Sequence, residues 1–138
     1  MESVRGWKLL LVEDDADSAE ALIGLLELHG IETLWAIDGV AAIQALDSIR
    51  RLGQRPPDFV LLDLNLPNTN ILSLAHQLRA HPIACPIVLV SATSPQILDS
   101  AAAEIGAVAA VRKPFGMDKL LAVFRRQASV EEHHLSEG

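Results

Sequence analysis

The chain carries short, unbroken apolar runs that each end in a chemically distinctive polar residue. The clearest is Phe59-Val60-Leu61-Leu62, which leads into Asp63 and then Leu64-Asn65-Leu66-Pro67. Four consecutive apolar residues behind Pro56-Pro57 are too few for a helix, so they read as a strand covered on both faces. Strands of that kind belong to parallel sheets flanked by crossover helices. Ligands in such open sheets bind at the carboxyl ends of the strands, which is where Asp63 stands. Taken alone, Asp63 could equally serve to cap a turn. What the other strands bring to the same edge decides between the two.

The rest of the chain supplies those strands. Leu9-Leu10-Leu11-Val12, entered from Lys8, breaks into Glu13-Asp14-Asp15 and Asp17. Asp17 and Glu20 resemble a capping box, and Leu22, Leu25, Leu26 and His29 predict a helix closed by Gly30. Ile31 to Ala36 predicts a short second strand near a sheet edge. Asp38 then opens a helix with Ala42, Ile43, Leu46 and Ile49 on one face, ending near Arg51. After the Asp63 strand, Asn70 caps a helix with Ile71, Leu74, Ala75 and Leu78 at i, i+3, i+4 and i+7, which Pro82 ends. Pro86-Ile87-Val88-Leu89-Val90 predicts a fourth strand finishing in Ser91-Ala92-Thr93. Ser94-Pro95 starts a helix with Ile97, Leu98, Ala101 and Ile105 as its buried face, stopped by Gly106. Ala107 to Arg112 predicts a fifth strand ending at Lys113-Pro114. A last helix starts near Asp118 and carries Leu120, Leu121, Val123 and Phe124, before a polar tail from Glu131 to Gly138 that is expected to fray. Strands and helices in alternation predict one α/β domain, doubly wound around a central five-stranded parallel sheet with five helices.

Composition narrows the function. With 138 residues, half of them apolar, the chain suits one domain with a substantial core. Its 11 basic and 18 acidic residues give a net charge of −7, and no Lys/Arg cluster offers a nucleic-acid surface. No apolar run approaches the about 18 to 20 residues of a membrane span, and no signal peptide opens the chain. The single Cys85 cannot form an internal disulfide and reads as a small buried hydrophobe, in keeping with a cytoplasmic setting. His29, His76, His81, His133 and His134 lack partners at metal-binding spacing. Trp7 and Trp35 read as packing residues away from the site.

The strand ends converge on one chemistry. Glu13 and Asp14 follow the first strand, Asp63 the third, Ser91 the fourth and Lys113 the fifth. Carboxylates crowded at one edge repel unless a cation sits among them. Mg²⁺ takes oxygen ligands and keeps several waters, leaving room for a phosphate oxygen, while a hydroxyl and an ammonium can bind the remaining phosphate oxygens.

On the motifs Leu11-Val12-Glu13-Asp14-Asp15, Asp63-Leu64-Asn65-Leu66-Pro67-Asn68, Val90-Ser91-Ala92 and Val111-Arg112-Lys113-Pro114-Phe115, the chain resembles the receiver domain of two-component response regulators. The resemblance covers residues 7 to 127, giving a domain over 1–127 and a polar tail over 128–138. It implies a flavodoxin-like fold with sheet order 2-1-3-4-5. It also implies phosphorylation of Asp63 and Mg²⁺ held by Glu13, Asp14, Asp63 and the Asn65 carbonyl. Ser91 would bind the phosphoryl group, Lys113 would pair with it, and the Lys113-Pro114 bond would be cis. The implied role is that of a signalling domain, not an enzyme acting on a separate substrate. The implied partners are a sensor histidine kinase or histidine phosphotransfer protein and a downstream protein target, with no direct nucleic-acid contact and no membrane insertion.

Two positions depart from the family pattern. Asn70-Ile71 stands where Asp-Gly is usual, and Ala110 stands where an aromatic residue usually precedes the lysine by three positions. Rival readings fit less well. A haloacid-dehalogenase-type phosphatase wants a second Asp where Asn65 stands, and a flavodoxin wants a hydroxyl-rich loop where Glu13-Asp14-Asp15 stands. A receiver-shaped interaction module that is never phosphorylated is the alternative. No output domain is visible after the last helix, so the chain reads as either a stand-alone regulator or a receiver taken from a longer protein.

Overall fold

The computed structural model describes residues 6–137, with side chains described over 6–128. Its elements run β1 (Lys8–Val12), α1 (Ala16–Leu28), β2 (Glu32–Ala36), α2 (Gly39–Leu52), β3 (Phe59–Asp63), α3 (Ile71–Ala80), β4 (Ile87–Ser91), α4 (Pro95–Ile105), β5 (Ala109–Arg112) and α5 (Met117–Glu137). The strands form one parallel sheet in the order β2-β1-β3-β4-β5, as expected for the flavodoxin-like arrangement.

Period-two alternation along the buried strands divides the core into two layers. Leu9, Leu11, Phe59, Leu61, Val88, Val90 and Val111 face α1 and α5 and pack on Ala19, Leu26, Leu120, Leu121 and Phe124. Leu10, Val12, Val60, Leu62, Ile87 and Leu89 face the other way, onto Ala42, Leu46, Leu74, Leu78, Leu98 and Ile105 from α2, α3 and α4. The uninterrupted apolar runs are therefore required, because every side chain of β1, β3 and β4 meets a covered surface. Trp7 belongs to the α1/α5 layer, with its ring 5.8 Å from Phe59 and 6.2 Å from Phe124.

Helix starts follow from side chains that accept the first free N–H groups. Asp38, Asn70 and Ser94 cap α2, α3 and α4 as expected. The first helix differs: its cap is Asp15, which accepts the Ser18 N–H at 2.8 Å, so Asp17 falls inside the first turn. Placing the cap at Asp15 shortens the turn after β1. The buried face of α4 is Leu98, Ala102 and Ile105, while Ile97 lies 58% exposed, because the helix phase is set by packing on β4 and β5. Backbone helix continues through most of the segment expected to fray, to Glu137; no Gly or Pro interrupts it before Gly138. The side chains of His133 and His134 lie outside those described.

His81 has a structural use. Its Nδ1 accepts the Ile83 N–H at 2.9 Å and its Nε2 lies 2.7 Å from Asp47 Oδ1, tying the end of α3 to α2.

Gly106 ends α4 in the left-handed region, at φ 80°, with its N–H on the Ala102 carbonyl. Arg79 of α3 donates to the Ile105 carbonyl at 3.2 Å and lies across the glycine, 2.5 Å from where a Cβ would stand. Gly106→Ala is therefore expected to cost about 1–2 kcal/mol from left-handed strain, plus the displacement of Arg79. Urea denaturation should show a lower midpoint with an unchanged slope.

Candidate functional site

The main chain brings the acidic and basic residues to one edge by extending the sheet beyond its strands. The Glu13 N–H bonds to the Ala36 carbonyl at 3.1 Å, the Leu64 N–H to the Val90 carbonyl at 2.9 Å, and the Lys113 N–H to the Ser91 carbonyl at 2.8 Å. Alternation then decides direction. Glu13, Asp63 and Lys113 continue the parity of Leu11, Leu61 and Val111 and line the α1/α5 side. A cavity of about 550 Å³ opens there, walled by Leu22, Leu25, Phe115 and Met117.

Glu13, Asp14 and Asp63 each present a carboxylate oxygen within 4.8 Å of the others. Glu13 and Asp63 are buried and Asp14 is exposed. Lys113 Nζ lies 3.1 Å from Asp63 Oδ2 and 3.7 Å from Glu13 Oε1, so one ammonium serves two buried carboxylates. The main-chain N–H of Asn65 donates to Asp63 Oδ1 at 2.8 Å. The Lys113-Pro114 bond is cis.

Protonation reflects this crowding. Burial opposes ionisation of Asp63 most strongly, but hydrogen bonds from Glu13, the Asn65 N–H and Lys113 outweigh it and hold the carboxyl below its usual range. Glu13 goes the other way, up to about 7, through burial first, then a proton shared with Asp63 and repulsion by Asp63 and Asp14; Lys113 opposes this. When both carboxylates are ionised neither can donate, and Glu13 Oε2 is left buried without a partner. A shared proton relieves that atom, and so does a hard divalent cation. The all-oxygen donor set with an orphaned buried oxygen fits Mg²⁺.

Ser91 is fully buried at the end of β4, on the opposite parity. Its hydroxyl donates to the Asn65 side-chain carbonyl and accepts the Thr93 N–H at 3.1 Å. Asn65 thus acts through its N–H on Asp63 and its side chain on Ser91, neither of which was legible in the sequence. The loop after Asp63 places its left-handed residue at Asn68, φ 53°, and Ile71 becomes the first residue of α3, packed against the α2/α3/α4 layer. Trp35 was also missed: its indole Nε1–H donates to the Glu13 carbonyl at 2.7 Å, placing this tryptophan beside the acidic turn. The only signal in the sequence was a tryptophan on an edge strand one residue before Ala36.

A family model for the response regulator receiver domain matches residues 9–125. The chain belongs to that family. It is similar to the sensory transduction protein RegX3 of Mycobacterium tuberculosis, 34% identical over 133 residues that make up 94% of this chain and 56% of that protein. It is also similar to the DNA-binding response regulator MtrA of Mycobacterium leprae, 36% identical over 118 residues, 86% of this chain and 49% of that one. The receiver thus spans about half the length of the curated relatives it matches. Among solved structures it is similar to the receiver domain of the sensor histidine kinase PA1611 of Pseudomonas aeruginosa, which has a magnesium ion coordinated in its active site cleft. That match has a TM-score of 0.72 and 27% identity, and covers 88% of this chain and 96% of that one.

The opposed shifts of the receiver's two buried carboxylates give its stability a pH signature. The folded state holds the Glu13 proton to about pH 7 and the unfolded state releases it near 4.5, so without metal this group's contribution falls as pH rises through that window. Asp63 acts oppositely: its contribution is present above 3.8 and is lost as pH falls through its lower folded value. Glu13→Gln should flatten the decline between pH 4.5 and 7 in thermal melts, and Mg²⁺ should flatten it in the parent protein.

Proposed function

We propose that this receiver accepts a phosphoryl group on Asp63 from a phosphohistidine of a sensor histidine kinase or histidine phosphotransfer protein, and passes the signal on by protein contact. The observation that carries this is Asp63 itself: a buried carboxylate kept ionised by Lys113 and the Asn65 N–H, at the mouth of a cavity. In the transfer an Asp63 oxygen forms the new O–P bond as the N–P bond to the donor imidazole breaks, and that nitrogen leaves with the bonding pair. Glu13, Asp14, Asp63 and the Asn65 main-chain carbonyl would hold Mg²⁺, which when bound supplies positive charge against the phosphoryl oxygens. Lys113 already contacts Asp63 and needs only a small movement to pair with a phosphoryl oxygen. Ser91 reaches the phosphoryl group by giving up its bond to Asn65.

The domain is taken as residues 1–127, with 128–138 outside it, a division supported by the end of the family match at residue 125. A cytoplasmic location is in keeping with a receiver in which no helix among the described residues is long and apolar enough to cross a membrane. The net charge of −7 favours protein contact over direct nucleic-acid contact by these 138 residues.

Incubation with Mg²⁺ and acetyl phosphate should add one phosphate to the intact mass, and Asp63→Asn should abolish the gain. An unmodified parent protein would return the reading to an unphosphorylated interaction module.

Ala110 shapes how the phosphate is read out. It is half-buried on β5 beside Leu89 and has no side-chain rotor to refill space vacated by Ser91. Amide NMR shifts on adding beryllofluoride should be small over residues 110–113 and larger after Asp63 and Ser91, with Ala110→Tyr widening the response on β5.

A further inference from the structure

Resting on the phosphoacceptor reading above, the geometry points to Trp35 as a positioning residue that holds the Glu13-Asp14 turn in place for Mg²⁺ from the sheet edge. Both main-chain groups of Glu13 are bound to β2: its N–H to the Ala36 carbonyl at 3.1 Å and its carbonyl to the Trp35 indole at 2.7 Å. The register between β1 and β2 ends at Val12 and Ala36, so the Glu13 carbonyl lies past the paired residues of the two strands. The indole reaches past that end and supplies the donor. On the other side of the turn, Asp15 is fixed by capping α1 through the Ser18 N–H.

Asp14 lies between these two anchors. Its side chain is exposed and makes no hydrogen bond among the described residues, so its direction comes from the peptide planes that flank it. The Glu13 carbonyl belongs to the plane joining Glu13 to Asp14. Fixing that carbonyl fixes the point from which the Asp14 carboxylate projects toward Asp63 and the buried Glu13, the other two members of the cluster. Preorganisation of this kind matters for Mg²⁺, which tolerates little departure from octahedral geometry. It also accounts for a 39% exposed tryptophan on an edge strand, where bulk alone gains little burial.

Trp35→Phe keeps the ring and removes the donor. Calorimetric titration with MgCl₂ should show binding weakened about two- to tenfold, the range spanned by one hydrogen bond, with the thermal midpoint little changed. The loss should be smaller in an Asp14→Asn background, because the bond acts through Asp14. A second measurement leaves Trp35 intact. With Trp7→Phe, Trp35 is the sole tryptophan, and its emission should shift on adding Mg²⁺ with the calorimetric midpoint; adding Asp14→Ala should abolish the shift. A folded Trp35→Phe protein that binds Mg²⁺ as the parent does, an equal loss in both backgrounds, or an unresponsive Trp35 overturns the inference and leaves the phosphoacceptor reading standing. A parent protein that binds no Mg²⁺ overturns both.

Discussion

Three carboxylates and one ammonium meet at the carboxyl edge of a sheet that is apolar elsewhere, and the balance among those charges conditions the rest of the molecule. Burying Glu13 and Asp63 side by side costs more than either could recover alone, since like charges and lost hydration act in the same direction. Lys113 offsets part of this by reaching both, at 3.1 and 3.7 Å. The remainder is met either by a proton shared between the two carboxylates or, when both are ionised, by leaving Glu13 Oε2 without a partner, a condition that a hard divalent cation relieves.

That balance depends on rigid placement across the sheet. Lys113 follows β5 and Asp63 ends β3, two strands that touch only through β4. The pair is brought together because the ladder continues past the strands, from Leu64 to Val90 and from Lys113 to Ser91. Strands covered on both faces cannot slide without moving whole rows of side chains from one packed layer to the other. The two apolar layers therefore do more than stabilise: they fix the register that sets the carboxylate and ammonium spacing.

The same parity separates the polar edge into two halves. Asp63, Glu13 and Lys113 face the cavity between α1 and α5, while Ser91 points toward the α2/α3/α4 layer and meets Asn65 there. Asn65 bridges the halves through its N–H to Asp63 and its side chain to Ser91. Asp63 and a hydroxyl on the opposite parity are thus joined through one residue. Ala110, beside Leu89 on β5, adds only a methyl group to that side of the sheet.

The sequence by itself determined the element order, the fold class and the residues gathered at the edge. Continuous apolar runs admit only covered parallel strands, and each run ends at the residue it delivers. It also placed the caps at Asp38, Asn70 and Ser94, because capping is local chemistry between neighbours. It misplaced the start of α1, since Asp15 and Asp17 are chemically alike and only the path out of β1 chooses between them. It put Ile97 on the buried face because helical spacing alone allowed that phase, and packing on the sheet selected another. Only the tertiary structure decided which polar groups touch. The Trp35 bond to Glu13 spans 22 positions, the Ser91 bond to Asn65 spans 26 and the Lys113 bond to Asp63 spans 50. Contacts at such separations have no local periodicity to announce them; they exist because the strand register puts distant residues at the same height along the sheet.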